Sequence, residues 1–526
     1  MHDTISYAFL LPHELSAERF ARELDGDAHC QVGDSTEVSL RFYDSFDWRL
    51  HRAGLRLLQV DLPQGRLLRL KSPAGEECVD AVVFEAEPAW PGELPDSDLK
   101  SRVVGPLGIR VLLPIVSVRG KVVELRVLNE DAKTVVRLQL LTLRCESPEV
   151  NEPRALLPRV RLLPVTGYAH EHEALARRFA DEMEWPKAPQ CLFDEALTAV
   201  AREPGDYSSK LDVPLKPQQT ALDALRKVML VLLDTIERNI PGTRADLDSE
   251  FLHDLRVATR RTRSALTQVK RVLPEEIVAE FRQRFAWLGQ ITGPTRDLDV
   301  FLLELPRYRA SLPAVMAGGL DGLERHLRDA QRSAQAELKR QLESPQLQAL
   351  LDDWRHVLEA DVPPGEPGWF ADLPIERVAS QRIWRMYKKV LKDGRTARDG
   401  AEPEFLHELR KDCKKLRYLT EFFLRIYPAG ELKGIIGTLK ELLDNLGEYQ
   451  DRQVQAERLA DFAQACDHGD PQYLDTVMAI GALVADLLHQ QQRAHDRFAE
   501  TFAHFDSRRN RDNFKRLFKE RGAPLG

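Results

Sequence analysis

The stretch EFLHDLRVATRRTR occupies residues 250–263, and EFLHELRKDCKKLR occupies residues 404–417. The two stretches are identical at seven of fourteen positions and lie 154 residues apart (404 − 250 = 154). The same offset superimposes further identical pairs: Pro274 on Pro428, Gly293 on Gly447, Asp297 on Asp451 and Val300 on Val454. A repeat that continues without gaps over about fifty residues predicts two similar helical bundles, related by an approximate twofold axis.

Basic residues recur on one side of the helix that each copy predicts, at about 100° per residue. In the first copy these are His253, Arg256, Arg260, Arg263 and Arg271. In the second they are His407, Arg410, Lys414 and Arg417, with Lys411 widening the stripe. Apolar or small residues lie opposite, among them Leu255, Ala258, Thr262 and Leu266 in the first copy. Each helix is therefore predicted to bury one side and to present cations on the other.

Most charged stripes on helices are simply solvated surface. These two stripes differ, because residues of the same charge follow one another along one side of the helix. Ordinary surface helices mix signs, because like charges one turn apart repel by a few tenths of a kcal/mol. A histidine at the start of both stripes adds an N–H donor and, when protonated, a further positive charge. The arrangement occurs twice in one chain. We therefore interpret both stripes as anion-binding faces.

A further cationic stripe precedes the second copy, at Arg385, Lys388 and Lys389. Val231 and Asp234 stand at the positions equivalent to Arg385 and Lys388, so the two halves are unequal. We include these three residues in the predicted anion-binding site. Asp297 and Asp451 are interpreted as acceptors that orient an arginine or histidine of their own bundle. No nucleophile or metal cluster accompanies them, so no catalytic residue is predicted.

The composition describes a globular chain of 526 residues, with 43% hydrophobic and 30% charged residues. Because the net charge is −8, an anion site must be a local concentration of cations. The start, MHDTISYAFLL, lacks the features of a signal peptide, and no apolar run approaches the roughly 20 residues that span a bilayer. The six cysteines show no CxxC or zinc spacing. We expect a reduced, cytoplasmic protein with no metal and no cofactor.

Two regions differ in their sequence pattern. Residues 1–185 contain short β-rich runs such as EVSLRFYDS (37–45) and TVVRLQLLTLR (134–144), which predict a β-barrel or a curved antiparallel sheet. From about residue 216 the apolar spacing becomes helical. We predict linkers at 186–215 and at 363–374, where the sequence reads PPGEPGWFADLP. The predicted organisation is thus α+β, with helical bundles at 216–362 and 375–526.

The helical region resembles the CHAD domain, the conserved-histidine α-helical domain. The motifs FLHDLRVATRRTRSAL and RDLDV (296–300) are very similar to that family's signature, and FLHELRKDCKKLRYL and LGEYQD (446–451) match its second half. The resemblance implies two four-helix bundles around a basic cleft, and binding of inorganic polyphosphate. By position, it assigns this role to His253, Arg256, Arg260, Arg263, His407, Arg410, Lys414 and Arg417.

The N-terminal region weakly resembles a CYTH domain, a triphosphate-tunnel β-barrel, over RFYDSFDWRLHRAGLRLL (41–58) and RLKSP (69–73). That family opens with a Glu-x-Glu-x-Lys strand, whereas this chain has TISYAFLLP, and LPRVRLLPV (157–165) stands where alternating glutamates are expected. Hydrolysis of triphosphates with a divalent metal needs such carboxylates. We therefore predict at most ligand binding by Arg56, Arg69, Lys71 and Arg119. Glu85 and Glu87, which alternate on one strand, keep a hydrolase as an alternative.

The leading hypothesis is a non-catalytic polyphosphate-binding protein, which could associate with polyphosphate granules and with no membrane. Two alternatives are a metal-dependent triphosphatase in the N-terminal region and a nucleic-acid-binding protein. Lys and Arg recognise phosphate in nucleic acids as well. However, the cationic faces lack interleaved aromatic residues that would stack on bases, and Tyr418 is the only nearby candidate. Nucleic acid is therefore the less favoured partner.

Overall fold

The computed structural model describes residues 7–12, 15–24, 29–62, 65–71, 78–84, 89–148, 150–188, 192–360, 368–398, 403–466, 469 and 471–521. The chain divides into two compact units, Met1–Ser208 and Ser209–Gly526. No described helix is both long enough and apolar enough to cross a membrane.

The first unit is built on one antiparallel sheet of nine strands. These are β1 Tyr7–Leu10, β2 His29–Asp44, β3 Arg56–Leu62, β4 Gly65–Lys71, β5 Cys78–Phe84, β6 Leu113–Leu128, β7 Thr134–Ser147, β8 Val150–Ala155 and β9 Arg159–Pro164. The strand order is β1-β9-β7-β6-β2-β3-β4-β5, and β8 also pairs with β7. The antiparallel sheet that the sequence predicted is confirmed.

The sheet does not close, so the barrel alternative is wrong for the part of the chain that the structure describes. β1 and β5 form the two ends of the strand order and do not pair with each other. At the β5 end, Leu57, Leu68 and Leu70 are buried in a cluster with Leu99 and Val103 of a helix at Asp98–Leu107. Because a helix covers these side chains, their burial does not require a closed barrel.

In the described part of the first unit, the α-helices are α1 Ala17–Leu24, α2 Arg49–Arg52, α3 Asp98–Leu107, α4 Ala169–Arg177 and α5 Leu192–Ala199. The described residues of the second unit form helices and the segments that connect them. Its helices are α6 Ala221–Arg244, α7 Ser249–Gln268, α8 Glu275–Ile291, α9 Gly293–Ser311, α10 Ala314–Ala317, α11 Leu320–Leu342, α12 Pro345–Glu359, α13 Ile375–Arg398, α14 Pro403–Phe422, α15 Ala429–Ala465, α16 Tyr473–Phe505 and α17 Arg508–Phe514.

The sequence repeat is also a repeat of helices. α6 and α13 begin and end 154 residues apart (375 − 221 and 398 − 244), as do α7 and α14 (403 − 249 and 422 − 268). α15 spans the positions equivalent to α8 and α9 together (429 − 275 and 465 − 311). In the first copy Thr292 separates α8 from α9, whereas α15 continues as one helix.

The hydrophobic cores mix residues from both copies. The larger core includes Leu255 of α7 and its equivalent Leu409 of α14, which are at most 1% exposed. A smaller core combines Phe301 of α9 and Leu323 of α11 with Leu459 of α15 and Leu483 of α16. The two copies therefore stabilise each other by burying apolar surface jointly.

Gly394, on α13, is required by close packing against α16. A Cβ atom at this position would lie 1.9 Å from Cε2 of the fully buried Phe502. We expect Gly394→Ala to lower the free energy of unfolding by roughly 1–3 kcal/mol, because the ring or the helix must shift.

Gly434→Ala on α15 is the matched control, since nothing lies within 4 Å of its Cβ position. That change should stabilise the unit by up to about 1 kcal/mol through helix propensity. Urea unfolding followed by circular dichroism at the helix band measures both. Equal midpoints for the two variants would contradict the packing argument.

Candidate anion-binding site

α7 begins and packs as its sequence pattern predicts. The Asp248 carboxylate accepts hydrogen bonds from the backbone N–H groups of Glu250 (2.9 Å) and Phe251 (3.3 Å), which caps the helix. The predicted apolar side is buried, including Leu255, Ala258, Thr262 and Leu266. α7 packs directly against α14. We call the basic side chains of these two helices the α7–α14 face: His253, Arg256, Arg260, Arg263, His407, Arg410, Lys414 and Arg417.

Arg260 and Lys414 are equivalent residues (414 − 260 = 154) and lie close enough to repel each other. Burial lowers the pKa of Lys414 to about 8, and the positive charges of Arg410 and Arg260 add to this effect. Arg260 is exposed. Neither residue forms a hydrogen bond or ion pair through its side chain with any residue that the structure describes. The two helices thus bring like charges together where a bound anion would neutralise both.

Arg256 and Arg410 are equivalent, and each donates hydrogen bonds to the helix that follows it in its own copy. Arg256 Nη1 donates to the carbonyl oxygen of Gly289 and to Thr292 Oγ1, both at 3.0 Å. Arg410 Nη2 donates to Asp451 Oδ1 at 3.0 Å. Burial, followed by repulsion from Arg260, lowers the pKa of Arg256. Both arginines are therefore fixed in position, but Arg410 is paired with a carboxylate whereas Arg256 is held by uncharged oxygen atoms.

The two histidines differ in the group that orients each ring. Arg296 Nη2 lies 3.1 Å from His253 Nδ1, and an arginine can only donate. The neutral His253 ring therefore carries its proton on Nε2. His407 Nδ1 lies 2.8 Å from Oε1 of Gln450, which can only accept, so here Nδ1 carries the proton. Arg296 and Gln450 are equivalent positions (450 − 296 = 154), and their difference makes the two halves of the site chemically unequal.

Glu421 connects the two helices. Its carboxylate accepts from Arg417 Nε at 2.6 Å and from Arg261 Nη2 at 2.9 Å. Arg261 lies on α7 and also donates to the Ser209 carbonyl oxygen at 3.1 Å. Arg417 is consequently half neutralised, whereas the exposed Arg263 of the first copy has no ion pair within the described chain. The Arg261–Glu421 ion pair could not be predicted from the repeat. The equivalent residues are Lys415 and Thr267, and a lysine and a threonine cannot form an ion pair.

The other predicted basic residues are distributed differently. Lys411 pairs with Glu408 on the surface of α14 (2.7 Å). Lys389 pairs with Asp393 (2.6 Å) and with Asp412. Asp412 lies roughly 160° from Lys414 around α14, so this pair is on the other side of the helix from Lys414. Arg385 and Lys388 are exposed on α13, and no described contact joins them to the α7–α14 face.

The two aspartates of the repeat have different partners. Asp451 accepts from Arg410 of its own copy, as the sequence predicted. Asp297 instead pairs with Arg458 of α15, in the other copy, at 2.6 Å. The prediction that Asp297 orients a residue of its own bundle is therefore wrong. Because the cores of the two copies interlock, a side chain at the end of one copy reaches the other.

The first unit contains a cleft of about 720 Å³ on the sheet. Its charged lining residues are Glu37, Asp61, Arg119, Lys121, Arg144 and Glu146. Of the four cations predicted there, only Arg119 lines it, and Arg119 lies 3.7 Å from Glu146. Arg56 pairs with Asp194 at 3.1 Å. Glu85 and Glu87 lie outside the described residues. Among the described residues, no group of three or more His, Cys, Asp or Glu side chains could hold a metal ion.

Comparison with known proteins identifies the helical unit. Residues 227–460 match the family model of the CHAD domain, and the chain therefore carries a CHAD domain there. The CHAD domain of the plant Ricinus communis is similar in structure, with 22% identity, coverage of 59% of this chain and 96% of that one, and a TM-score of 0.47. PptA from Streptomyces chartreusis shows 20% identity, 54% and 99% coverage, and a TM-score of 0.41. No curated protein matches the chain by sequence.

Proposed function

We propose that this chain binds inorganic polyphosphate at the α7–α14 face and does not hydrolyse it. The CHAD family is linked to polyphosphate-related proteins, which favours this ligand. The observation that carries the proposal is the approach of Arg260 to Lys414, neither of which has an ion pair with a described residue; the Asp451 carboxylate, which acts on Lys414 from nearby, is paired with Arg410. Two like charges in a partly buried place destabilise each other unless an anion joins them. Association with polyphosphate granules would follow from this ligand.

A polyphosphate chain suits this face better than a nucleic acid does. Proteins that bind single strands without sequence preference stack bases on exposed aromatic rings. Tyr418, the only aromatic residue predicted near the cations, is half-buried and stacks on Phe422 with ring centroids 6.4 Å apart. Among the residues that the structure describes, the α7–α14 face therefore offers donors to phosphate oxygens but no exposed ring for a base.

Competition at fixed salt tests this choice of ligand. A fluorescent polyphosphate bound to the full chain should be displaced by unlabelled polyphosphate. Single-stranded DNA with the same number of phosphates, kept short enough to cover only the α7–α14 face, should need a higher concentration, since its bases find no exposed ring there to offset the cost of ordering the strand. Equal competition by both polyanions would support a general phosphate-backbone binder and would count against the proposal.

Binding should weaken as the pH rises above about 8. Bound phosphate favours the charged form of Lys414, so the pKa of Lys414 is higher in the complex than its free value of about 8. Affinity is then greatest below pH 8 and falls by up to roughly tenfold per pH unit above it, until the complex also loses the proton. Lys414→Arg should remove this decline, because arginine stays charged over the whole range.

Titrations between pH 7 and 9.5, in two buffers of different ionisation enthalpy, measure both the affinity and the proton uptake. Proton release on binding would contradict the assigned role of Lys414. So would a decline of the same size in the Lys414→Arg variant.

We propose that the first unit is not a triphosphatase, because the acids that line its cleft are balanced by an equal number of cations rather than grouped around an ion site. Incubating the full chain with tripolyphosphate and magnesium or manganese should release no phosphate. Turnover that Glu85→Gln or Glu87→Gln abolishes would establish the hydrolase alternative instead.

A further inference from the structure

A second group of cations lies where the end of α7 meets α13. Arg382 is only 9% exposed, and its Nη2 atom donates to the Lys270 carbonyl oxygen at 2.9 Å. Its Nε atom is buried and has no hydrogen-bond partner. Burial, followed by repulsion from Arg385 and Arg271, lowers the pKa of Arg382 to about 10. A buried, incompletely bonded guanidinium beside two other guanidinium groups is unfavourable without an anion.

Aromatic rings hold two of these arginines by their flat faces. The Cζ atoms of Arg271 and Arg382 both lie 5.7 Å from the centre of the Phe370 ring. Arg271 also lies 5.5 Å from the centre of Trp369, which is 84% exposed. Cation–π contacts of this kind restrain both side chains and use the ring faces rather than N–H donors, so the exposed Arg271 keeps its N–H groups for an oxyanion.

The backbone places Arg271 in this position. Its φ of 63° is in the left-handed region, which is unusual for a residue with a side chain. The Arg271 carbonyl oxygen accepts from the Phe370 N–H at 2.8 Å, which ties the segment after α7 to the segment before α13.

The equivalent place in the other copy is arranged differently. Arg425 is equivalent to Arg271 (425 − 271 = 154), and it is paired with Asp212. Val228 and Val231 stand at the positions equivalent to Arg382 and Arg385. Within the described residues, no carboxylate pairs with Arg271, Arg382 or Arg385. As far as the structure describes the chain, Arg425 is thus paired with a carboxylate, whereas Arg271, Arg382 and Arg385 are not.

We propose that Arg271, Arg382 and Arg385 form a second phosphate subsite, which binds polyphosphate chains long enough to extend beyond the α7–α14 face. This inference rests on the proposed function. α7 ends at Gln268, eight residues and roughly 12 Å beyond Arg260, and Arg271 follows three residues later. Arg263 lies between them and is exposed. A flexible polyanion bound at Arg260 thus meets further cations along the same helix.

The test compares tripolyphosphate with a long polyphosphate of defined length on the full chain. The double variant R271Q/R385Q changes only exposed residues, so the buried Arg382 and the fold are retained. We expect long-chain affinity to fall roughly ten- to thirtyfold at 0.1 M salt. This range assumes that each lost contact to a single-stranded polyanion reduces the slope of log affinity against log salt by about 0.7. Tripolyphosphate affinity should not change.

Arg425→Gln is the matched control, because it removes the exposed, equivalent arginine that already has a carboxylate, and it should leave both affinities unchanged. Trp369 gives an independent readout. Long polyphosphate should change tryptophan emission, and the change should be absent in Trp369→Phe and in R271Q/R385Q. Tripolyphosphate should leave the emission unchanged.

Each outcome decides between distinct accounts. If the wild type binds long polyphosphate and R271Q/R385Q binds it equally well, the subsite is wrong while the proposed function stands. If R271Q/R385Q loses tripolyphosphate or orthophosphate binding that K414E retains, the cluster is an independent small-phosphate site and the extension model is overturned. If the wild type binds no polyphosphate of either length, the proposed function fails and the subsite fails with it.

Discussion

Reversing the charge of either Arg260 or Lys414 should abolish binding of short polyphosphate. The charge of Arg260 acts on Lys414, so we expect an anion bound between the two side chains to interact with both. Arg260→Glu or Lys414→Glu replaces an attraction by a repulsion at the same point. We expect each reversal to reduce affinity at least a hundredfold, or roughly 3 kcal/mol. Binding measured by calorimetry at low salt gives the comparison.

Two conservative variants distinguish the effect of the side-chain charge on affinity from the effect of the side-chain shape. Arg260→Lys and Lys414→Arg keep the positive charge and should retain most of the affinity. Thermal unfolding should show that the reversals still fold, since each relieves the repulsion between Arg260 and Lys414. A reversal that folds and still binds with wild-type affinity would remove this pair from the site.

Salt should weaken the binding of short polyphosphate, which reaches only the α7–α14 face, by a predictable amount. Arg260, Arg263 and Lys414 have no ion pair within the described chain, so each contact that they make with phosphate releases a condensed counterion. Three contacts at about 0.7 each give a slope near −2 in log affinity against log salt, or roughly a twentyfold loss between 50 and 200 mM. The double variant R260A/K414A should retain a slope of only about −0.7.

The control for this slope is R332A/R340A on α11. Its two arginines are exposed (77% and 75%), and each pairs with a nearby carboxylate. Removing them changes the net charge equally but should leave the slope unchanged. A slope that falls as much in the control as in R260A/K414A would mean that net charge, rather than the α7–α14 face, governs binding.

Much of the helical unit could be predicted because the repeat and the apolar spacing are properties of the sequence itself. The offset of 154 that aligns His253 with His407 also aligns the ends of α6 with α13 and of α7 with α14. The opposition of Arg260 to Leu255 on α7 follows from helix geometry alone. The presence of the sheet was likewise confirmed, since its strands carry β-rich runs bounded by turns.

Side-chain partners could not be predicted, because they depend on which elements meet in space. Arg256 and Arg410 look alike in sequence, yet one is held by a helix end and the other by Asp451. In the sequence, Lys389 belongs to a cationic stripe, but in the structure it forms an ion pair with Asp412. The strand pattern likewise does not reveal that α3 covers the buried leucines of β3 and β4, which a closed barrel would otherwise have to bury.

The tautomers of the two histidines illustrate the same limit. Arg296 and Gln450 occupy equivalent positions, and the repeat could have indicated both as neighbours of a histidine. Their different chemistry makes His253 a donor and His407 an acceptor at Nε2 when both rings are neutral. Protonation therefore converts Nε2 of His407 from an acceptor into a donor, whereas Nε2 of His253 is a donor already and protonation would instead remove the acceptor of its Arg296 bond.

The number of short polyphosphate molecules bound per chain shows whether the motif is repeated because two helices form one site. Titration calorimetry on the wild type, R260E and K414E provides it. The shared site predicts one bound tripolyphosphate per chain in the wild type and none in either variant. Two bound per chain in the wild type, with one remaining in each variant, would show that the copies bind separately and would contradict the account.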